Sequence, residues 1–540
     1  MPRRGDTHRE MRFFNTSGPV VAADHYCVPP LERINLSHIL SLIDTKRYFV
    51  LHAPRQTGKT SALLALRDLL NEGAHGRYRC VYVNVEGAQA AREDRAEAMR
   101  AILSELEIEA EGTLDDPMPA NLWPRLLERA GPLGVLRQVL TRWAQADSAP
   151  LVLMIDEIDT LVGDTLIAVL RQLRAGYPHR PRRFPQSVIL CGVRDVRDYR
   201  IHSSSENAIV TGGSAFNIKA ESLRIGDFSE AEVRALLGQH SAETGQRFAE
   251  EALQAVWELT AGQPWLVNSL AQETCFRSES GRDRGSVITG DAIRTAREQL
   301  ILRRETHLEQ LTDRLQEERV RQVIGPLLSG GETSADLRSD HLQYVRDLGL
   351  VARDDPIRIA NPIYREVIPR DLTWTTQAGF SHDPAWYVDA EGNLQLHELL
   401  AAFQRFFREH SEHWIERFQY REAGPQLLLQ AFLHRVVNSG GRVEREYGLG
   451  RMRTDLLIVW PAAAPPDRTR RMVIECKVLH RSLDETIRVG LEQTRAYMDR
   501  CAASEGHLVI FDRTAGKPWS DKVFCRTEAG TGVPITVWGM

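Results

Sequence analysis

An apolar run, Tyr48-Phe-Val-Leu-His52, leads into Ala53-Pro54-Arg55-Gln56-Thr57-Gly58-Lys59-Thr60, and the leucine-rich stretch 61–70 follows with helical spacing. A strand, a tight loop and a helix in that order restrict the fold more than any other feature of the chain. Backbone N–H groups of such a loop and of the helix N-terminus make a concave set of donors for phosphate oxygens. Gly58 lets the backbone approach closely, Lys59 reaches the β- and γ-phosphates, and the Thr60 hydroxyl is a ligand for Mg2+. The pattern is GxxxxGK[ST] with alanine at its first position, and Ala53 fits there if no positive φ is needed. A ligand-free glycine turn is the plain alternative, and the placement between strand and helix argues against it.

Further β-branched or apolar runs occur at 80–86 (CVYVNVE), 150–159 (PLVLMIDEID) and 187–193 (SVILCGV), with helical patterns between them. Strands alternating with helices predict an α/β fold with a parallel sheet covered on both faces. In such sheets ligands bind beyond the C-terminal ends of the strands. The third run delivers Asp156 and Glu157 there. Asp156 is expected to hold the Mg2+ shell, and Glu157 to polarise the attacking water as general base. The fourth run ends beside Arg194, within reach of a γ-phosphate; a surface arginine is the alternative.

The length, 540 residues, is enough for two to four domains. A net charge of −5 excludes a globally basic nucleic-acid protein but leaves room for a local basic groove. The seven cysteines form no CxxC pair, which argues against a zinc site or a disulfide framework and points to a reducing, cytoplasmic setting. No apolar stretch approaches the roughly 18–20 residues of a membrane span, and the basic N-terminus lacks the apolar run of a signal peptide.

The ATPase core is expected over 15–226. An all-helical lid follows over 227–304, opening with Ser229 as N-cap and Glu232 three residues later. Short helices and two extended runs over 305–370 suit a winged helix, and the polar segment 371–393 reads as a linker. A new pattern occupies 394–540: helices to about 438, two strands joined by the breaker-rich PAAAPPDRT, a helix from Asp484 to Cys501, and the buried strand GHLVIFD. A mixed sheet is expected there.

Asp455 begins the first strand of that hairpin, and Glu475 and Lys477 lie on the second. Residues i and i+2 of a strand share a face, so Glu475 and Lys477 point one way and Cys476 the other. A hairpin would bring Asp455 beside them. Two carboxylates, Asp455 and Glu475, suit Mg2+ or Mn2+, which would activate water, while Lys477 would position the nucleophile or stabilise charge at phosphorus. A structural Glu–Lys ion pair is the alternative. Gln493 and Tyr497 share one helical face at i, i+4. Arginines 442, 445, 451, 453, 468, 470, 471 and 481 surround these motifs, as phosphate ligands or as a solvated face.

The motifs APRQTGKT, LMIDEID, CGVRD and TAGQPWLV resemble those of the AAA+/STAND branch of P-loop ATPases over about 15–370. The resemblance implies ATP and Mg2+ as cofactors. It also implies a lid whose Gly262 and Pro264 help to sense nucleotide, with Tyr26, Pro29 and Arg33 on the adenine side. The C-terminal pattern resembles the PD-(D/E)XK nuclease superfamily, with the QxxxY element of its RecB-like members, over about 395–515. Thr454 stands where that family has proline, and the resemblance makes Glu422 a further acidic candidate. Together these imply an ATPase that gates or positions a metal-dependent nuclease. Nucleic acid, DNA in preference, is the implied substrate, and defence or mobile-element biology the suggested setting. The alternative is a STAND-like switch whose C-terminal domain binds nucleic acid without cutting it. An arginine finger supplied in trans would require a homo-oligomer; no membrane partner is expected.

Overall fold

The computed structural model describes residues 11–540 except 73–76, 196–199, 204–207, 212–215, 304–313, 316, 329–337, 373–386, 418–424, 427, 431, 434–440, 450–451, 462–468, 480–481, 515–516 and 530–532. It divides into two compact units. One holds the chain up to 305 together with 343–352, and the other holds 306–342 with 353–540.

In the first unit, α1 (Leu36–Asp44) precedes β1 (Tyr48–His52), and α2 (Lys59–Asn71) follows the glycine-containing loop. β2 (Arg79–Asn84) leads through α3 (Arg95–Leu114), α4 (Met118–Ala130) and α5 (Val135–Ala146) to β3 (Leu151–Asp156). α6 (Gly163–Gly176), β4 (Ser187–Gly192) and β5 (Lys219–Arg224) complete the sheet. The strand order is β2-β3-β4-β1-β5, and every pair is parallel. The four strands read from the sequence are joined by β5, which the sequence analysis did not single out: LysAlaGluSerLeuArg has one apolar alternation too weak to stand out.

Parity along the strands builds the two cores. Val50, Val83, Leu153, Ile155 and Leu190 pack against α3, α5 and α6. Phe49, Leu51, Cys80, Tyr82, Val152, Met154, Ile189 and Cys191 pack toward α1 and α2. Burial on both faces is why these strands read as continuous apolar runs.

The helices that follow include α7 (Glu230–Thr244), α8 (Glu250–Thr260), α9 (Pro264–Gln272) and α10 (Gly290–Leu302). Ser229 and Glu232 form a reciprocal capping box at the start of α7, as their spacing indicates. Gly262 has φ 77°, and a Cβ there would lie 2.0 Å from the Phe228 carbonyl oxygen, so only glycine fits the turn into α9.

The stretch 305–370 contains α11 (Glu318–Leu328), α12 (Ser339–Asp347) and α13 (Pro362–Leu372), and the division between units passes through it. The second unit continues with α14 (Leu396–Arg417), β6 (Arg442–Leu449), β7 (Met452–Pro461), β8 (Thr469–Val478), α15 (Leu483–Cys501), β9 (Glu505–Phe511), β10 (Phe524–Glu528) and β11 (Ile535–Gly539). Its sheet is mixed, in the order β6-β7-β8-β9-β11-β10. β7 and β8 form the antiparallel hairpin, while β8–α15–β9 is a parallel crossover. One face carries Leu456, Ile458, Ile474, Cys476 and Val509 with α14; the other carries Leu457, Val459, Val473 and Leu508 with α15. Among the described residues no helix is long and apolar enough to cross a membrane.

Candidate nucleotide site and a second acidic site

Strand parity explains the first site. Asp156 continues the Val152–Met154 row that faces α2, and Tyr82 continues the row of Cys80 on the adjacent strand. The carboxylate of Asp156, fully buried, therefore meets the first turn of α2. Its Oδ2 accepts from the Thr60 hydroxyl at 2.8 Å and from the Tyr82 hydroxyl at 3.0 Å. Its Oδ1 accepts from the Glu157 N–H at 2.9 Å. A buried charge costs heavily unless it is hydrogen-bonded, and three donors satisfy it here.

The loop before α2 is tied to itself. The Thr57 hydroxyl and the Lys59 ammonium both donate to the Pro54 carbonyl, at 2.8 and 3.0 Å. Lys59 is only 5% exposed. Gln56 (φ 56°) and Gly58 (φ 87°) take the left-handed conformation, whereas Ala53 does not. Alanine thus replaces the usual first glycine without strain, as the sequence argument required. Gly58 serves as N-cap of α2 with no side-chain cap, which leaves first-turn N–H groups facing outward for an anion.

Glu157 sits just beyond β3 at φ 55°. Burial holds its carboxyl above the usual glutamate range, while Lys59 pulls the other way. Asp159 accepts from the Val193 N–H at 3.0 Å and so fastens the end of β4 to the turn after β3. Arg194, next along, lays its guanidinium over the Tyr344 ring at 4.8 Å. Arg55 is exposed at the rim of the loop.

Arg33 donates to the Thr57 carbonyl and, at 2.6 Å, to the Gly226 carbonyl, and its guanidinium lies 4.6 Å from the Phe228 ring centre. It also closes on Gly58: a Cβ there would stand 2.6 Å from its Nη1. Beside it lies a cavity of about 110 Å3 whose walls include Tyr26, Arg33, Gln56, Gly58, Pro264 and Asn268. Pro30, not Pro29, reaches this wall. The Tyr26 hydroxyl and the Asn268 Oδ1 are buried there without hydrogen-bond partners among the described residues. Orphaned polar atoms of this kind fit a ligand that supplies the missing partners. The hard-oxygen pair Thr60–Asp156 fits Mg2+.

Sequence reasoning placed Thr57 in the phosphate loop but missed Tyr82, Asp159 and Asn268. Only Tyr82 carried a usable signal, since its row on β2 is the one that faces α2.

In the second unit, Glu475 and Lys477 share the β8 face under α15, and the Lys477 ammonium donates to Glu475 Oε1 at 2.7 Å. Glu475 is 2% exposed. Cys476 lies in the opposite core, as the alternation requires. Tyr497 packs in the α15 face with Val473, and Gln493 Oε1 on the same helix is a buried oxygen without a donor. The β7–β8 register pairs Leu456 with Ile474, so Asp455 stands one step beyond that pair, in line with Glu475. The Asp455 side chain and the whole of Glu422 lie outside the described residues, as do arginines 451, 468 and 481 and the side chains of 442, 445 and 453. Of the flanking arginines, Arg471 donates to the Cys501 carbonyl at 3.1 Å, and Arg470 lies 3.7 Å from Glu505. Both serve the fold. Among the described residues no three His, Cys, Asp or Glu side chains group as metal ligands.

Residues 43–199 match the family described as "AAA domain". No curated protein matches the chain. Among solved structures, the Walker-type ATPase of Pyrococcus abyssi is similar over 66% of this chain and 99% of its own, with 16% identity and a TM-score of 0.44. Cdc6p from Pyrobaculum aerophilum is similar over 63% and 93%, with 16% identity and a TM-score of 0.34. The structure of Drosophila ORC bound to DNA gives 64% and 88%, 12% identity and a TM-score of 0.34. With the parallel sheet, the loop before α2 and the Thr60–Asp156 contact, the family match marks residues 43–199 as an AAA-type P-loop ATPase domain.

Proposed function

We propose that this protein binds and hydrolyses ATP to gate or position a metal-dependent nuclease centre acting on nucleic acid, with DNA the favoured substrate. The observation that carries the ATPase half is the buried contact of Thr60 with Asp156 at the end of β3. Lys59 and the outward N–H groups of α2 bind and orient the phosphates, and Thr60 and Asp156 would hold Mg2+, which would supply charge neutralisation at the phosphates. Glu157, whose proton affinity is raised by burial, takes the proton of the attacking water. Helices α7–α10 act as a lid over the 110 Å3 cavity, where Tyr26 and Asn268 receive the base.

The nuclease half rests on the Glu475–Lys477 pair, the buried Gln493 oxygen and the register that brings Asp455 into line with Glu475. Asp455 and Glu475 would bind Mg2+ or Mn2+, with Glu422 as a further acid, and Lys477 would steady charge at phosphorus. The winged-helix reading of 305–370 belongs to the same proposal, as does a homo-oligomer that supplies an arginine finger. A second reading, a STAND-like switch that binds without cutting, is favoured by the closed ion pair between the buried Glu475 and the half-buried Lys477, which suits a structural role.

Incubation of purified protein with single- and double-stranded DNA and RNA, with Mg2+ or Mn2+ and with or without ATP, separates the two. The nuclease reading expects nicking that disappears in Asp455→Ala and Lys477→Ala while ATP turnover persists. Binding without cleavage under every condition selects the switch. Lys59→Ala is expected to abolish ATP turnover, and retained turnover would overturn the ATPase assignment.

A further inference from the structure

A groove on the ATPase unit is lined by residues between 133 and 175, well after the phosphate loop at 53–60 in the chain. It has a volume of about 590 Å3 and runs between α5 and α6. Its walls include Arg137, Gln138, Thr141, Arg142 and Gln145 from α5 and Arg171 from α6, with the exposed Leu133 just before α5. Residues 129–146 contain no acid, and neither do residues 165–194, which carry arginines at 171, 174, 180, 182, 183 and 194. In a chain of net charge −5 this is strong segregation of charge. Arg137 and Arg142 are exposed, and neither has an ion-pair partner among the described residues. The Gly134 cap at the start of α5 offers no side-chain bond to the first-turn N–H groups, although the Arg137 N–H is taken by Gln172.

We infer that this groove is a docking track for the phosphate backbone of duplex DNA, distinct from the ATP site and from the acidic site of the second unit. Guanidinium forks match phosphate oxygens in pairs. The interleaved glutamines and threonine are the uncharged donors that backbone contacts use. An acidic protein partner would need an apolar anchor at the centre of the interface, whereas the large apolar wall residue here, Leu133, precedes α5 and the α5 residues 137–145 that line the groove are polar. The lining residues of α5 rise about 12 Å along the helix, the axial length of three to four phosphates on one strand of B-DNA. Contacts of this kind position the ATPase on DNA without reading sequence.

The test is fluorescence anisotropy of the full chain with a labelled mixed-sequence duplex over a series of salt concentrations, alongside ATP turnover. Each lost phosphate contact flattens the log affinity–log salt slope by about 0.9. The double variant R137A/R142A is expected to flatten it by about two, with basal ATP turnover unchanged. R137K/R142K keeps the charge and is expected to keep most of the slope. The single variant R142E gives a second reading that does not depend on the folding of the double variant. Lys477→Ala, in the second unit, is expected to leave this slope difference intact, so failure of the nuclease reading does not mask the result. An unchanged slope in R137A/R142A and R142E overturns the inference. So does a loss seen only with RNA, or an equal loss with polyglutamate, which would identify an acidic protein as the partner.

Discussion

Replacing Tyr82 by phenylalanine removes one hydroxyl from the fully buried Asp156 and changes little else. Tyr82 is 6% exposed and its ring packs in the α2-side core, so the phenyl group keeps the packing. Asp156 Oδ2 then keeps the Thr60 hydroxyl, Oδ1 keeps the Glu157 N–H, and the Cys191 thiol stays beside the carboxylate. A hydrogen bond to a charged acceptor contributes about 1.5–3 kcal/mol, and the loss falls wholly on the folded state because the carboxylate has no water to turn to. At about 2 °C per kcal/mol for a unit of this size, the unliganded protein should melt about 3–6 °C lower. With Mg2+ and a non-hydrolysable ATP analogue the gap should narrow, because the cation replaces the positive end of the lost dipole beside Asp156. Differential scanning fluorimetry of both proteins, with and without ligand, measures this. Coincident melting in the absence of ligand would refute the reasoning, and so would a gap that widens on adding ligand.

The pH dependence of turnover should report Glu157. Its folded-state proton affinity is raised by burial, so the acidic limb of the ATPase rate is expected above the ordinary glutamate range near 4.3. The sign for stability is opposite: a raised carboxyl contributes stability below its unfolded value and loses it as pH rises through the folded one. Glu157→Gln is expected to abolish turnover at every pH while nucleotide binding persists, which calorimetric titration with the ATP analogue would check. Gly262→Ala forces a methyl to within 2.0 Å of the Phe228 carbonyl oxygen at a φ of 77°, and should cost at least about 2 kcal/mol in chemical denaturation. An unchanged denaturation midpoint would show that the turn into α9 yields without cost.

The phosphate-binding part of the nucleotide site was legible because its residues are contiguous or end apolar strands. Gly58, Lys59 and Thr60 follow β1 directly, and Asp156 ends a run whose burial on both faces makes it unmistakable. Tyr82 was readable only as a member of the β2 row that faces α2, and Asn268 not at all, since their roles arise when separate elements meet across the sheet or across α9. The Arg33–Thr57 bond is likewise a long-range closure, and only the family resemblance drew attention to Arg33. β5 escaped because a strand with solvated positions loses the periodic contrast on which the sequence argument depends. In the second unit the hairpin, the parity of Glu475, Cys476 and Lys477 and the helix of Gln493 and Tyr497 were all readable from spacing.

That parity is also what makes the two acidic centres interpretable in the same physical terms. Asp156 shares a strand face with Val152 and Met154 and so meets the helix that starts at Lys59. Glu475 shares a face with Val473 and so meets α15. In each case an apolar row selects the face by burial, and the last polar residue of the row is delivered to the helix without any separate device. A slip of one residue in either strand would turn the carboxylate into the opposite core, among Ile155 and Leu153 in one unit or Ile474 and Cys476 in the other. Burying an unpaired carboxylate there costs several kcal/mol. The register is therefore guarded by the functional residues as well as by the core, and the hydrophobic pattern that folds each sheet also fixes which way its chemistry faces.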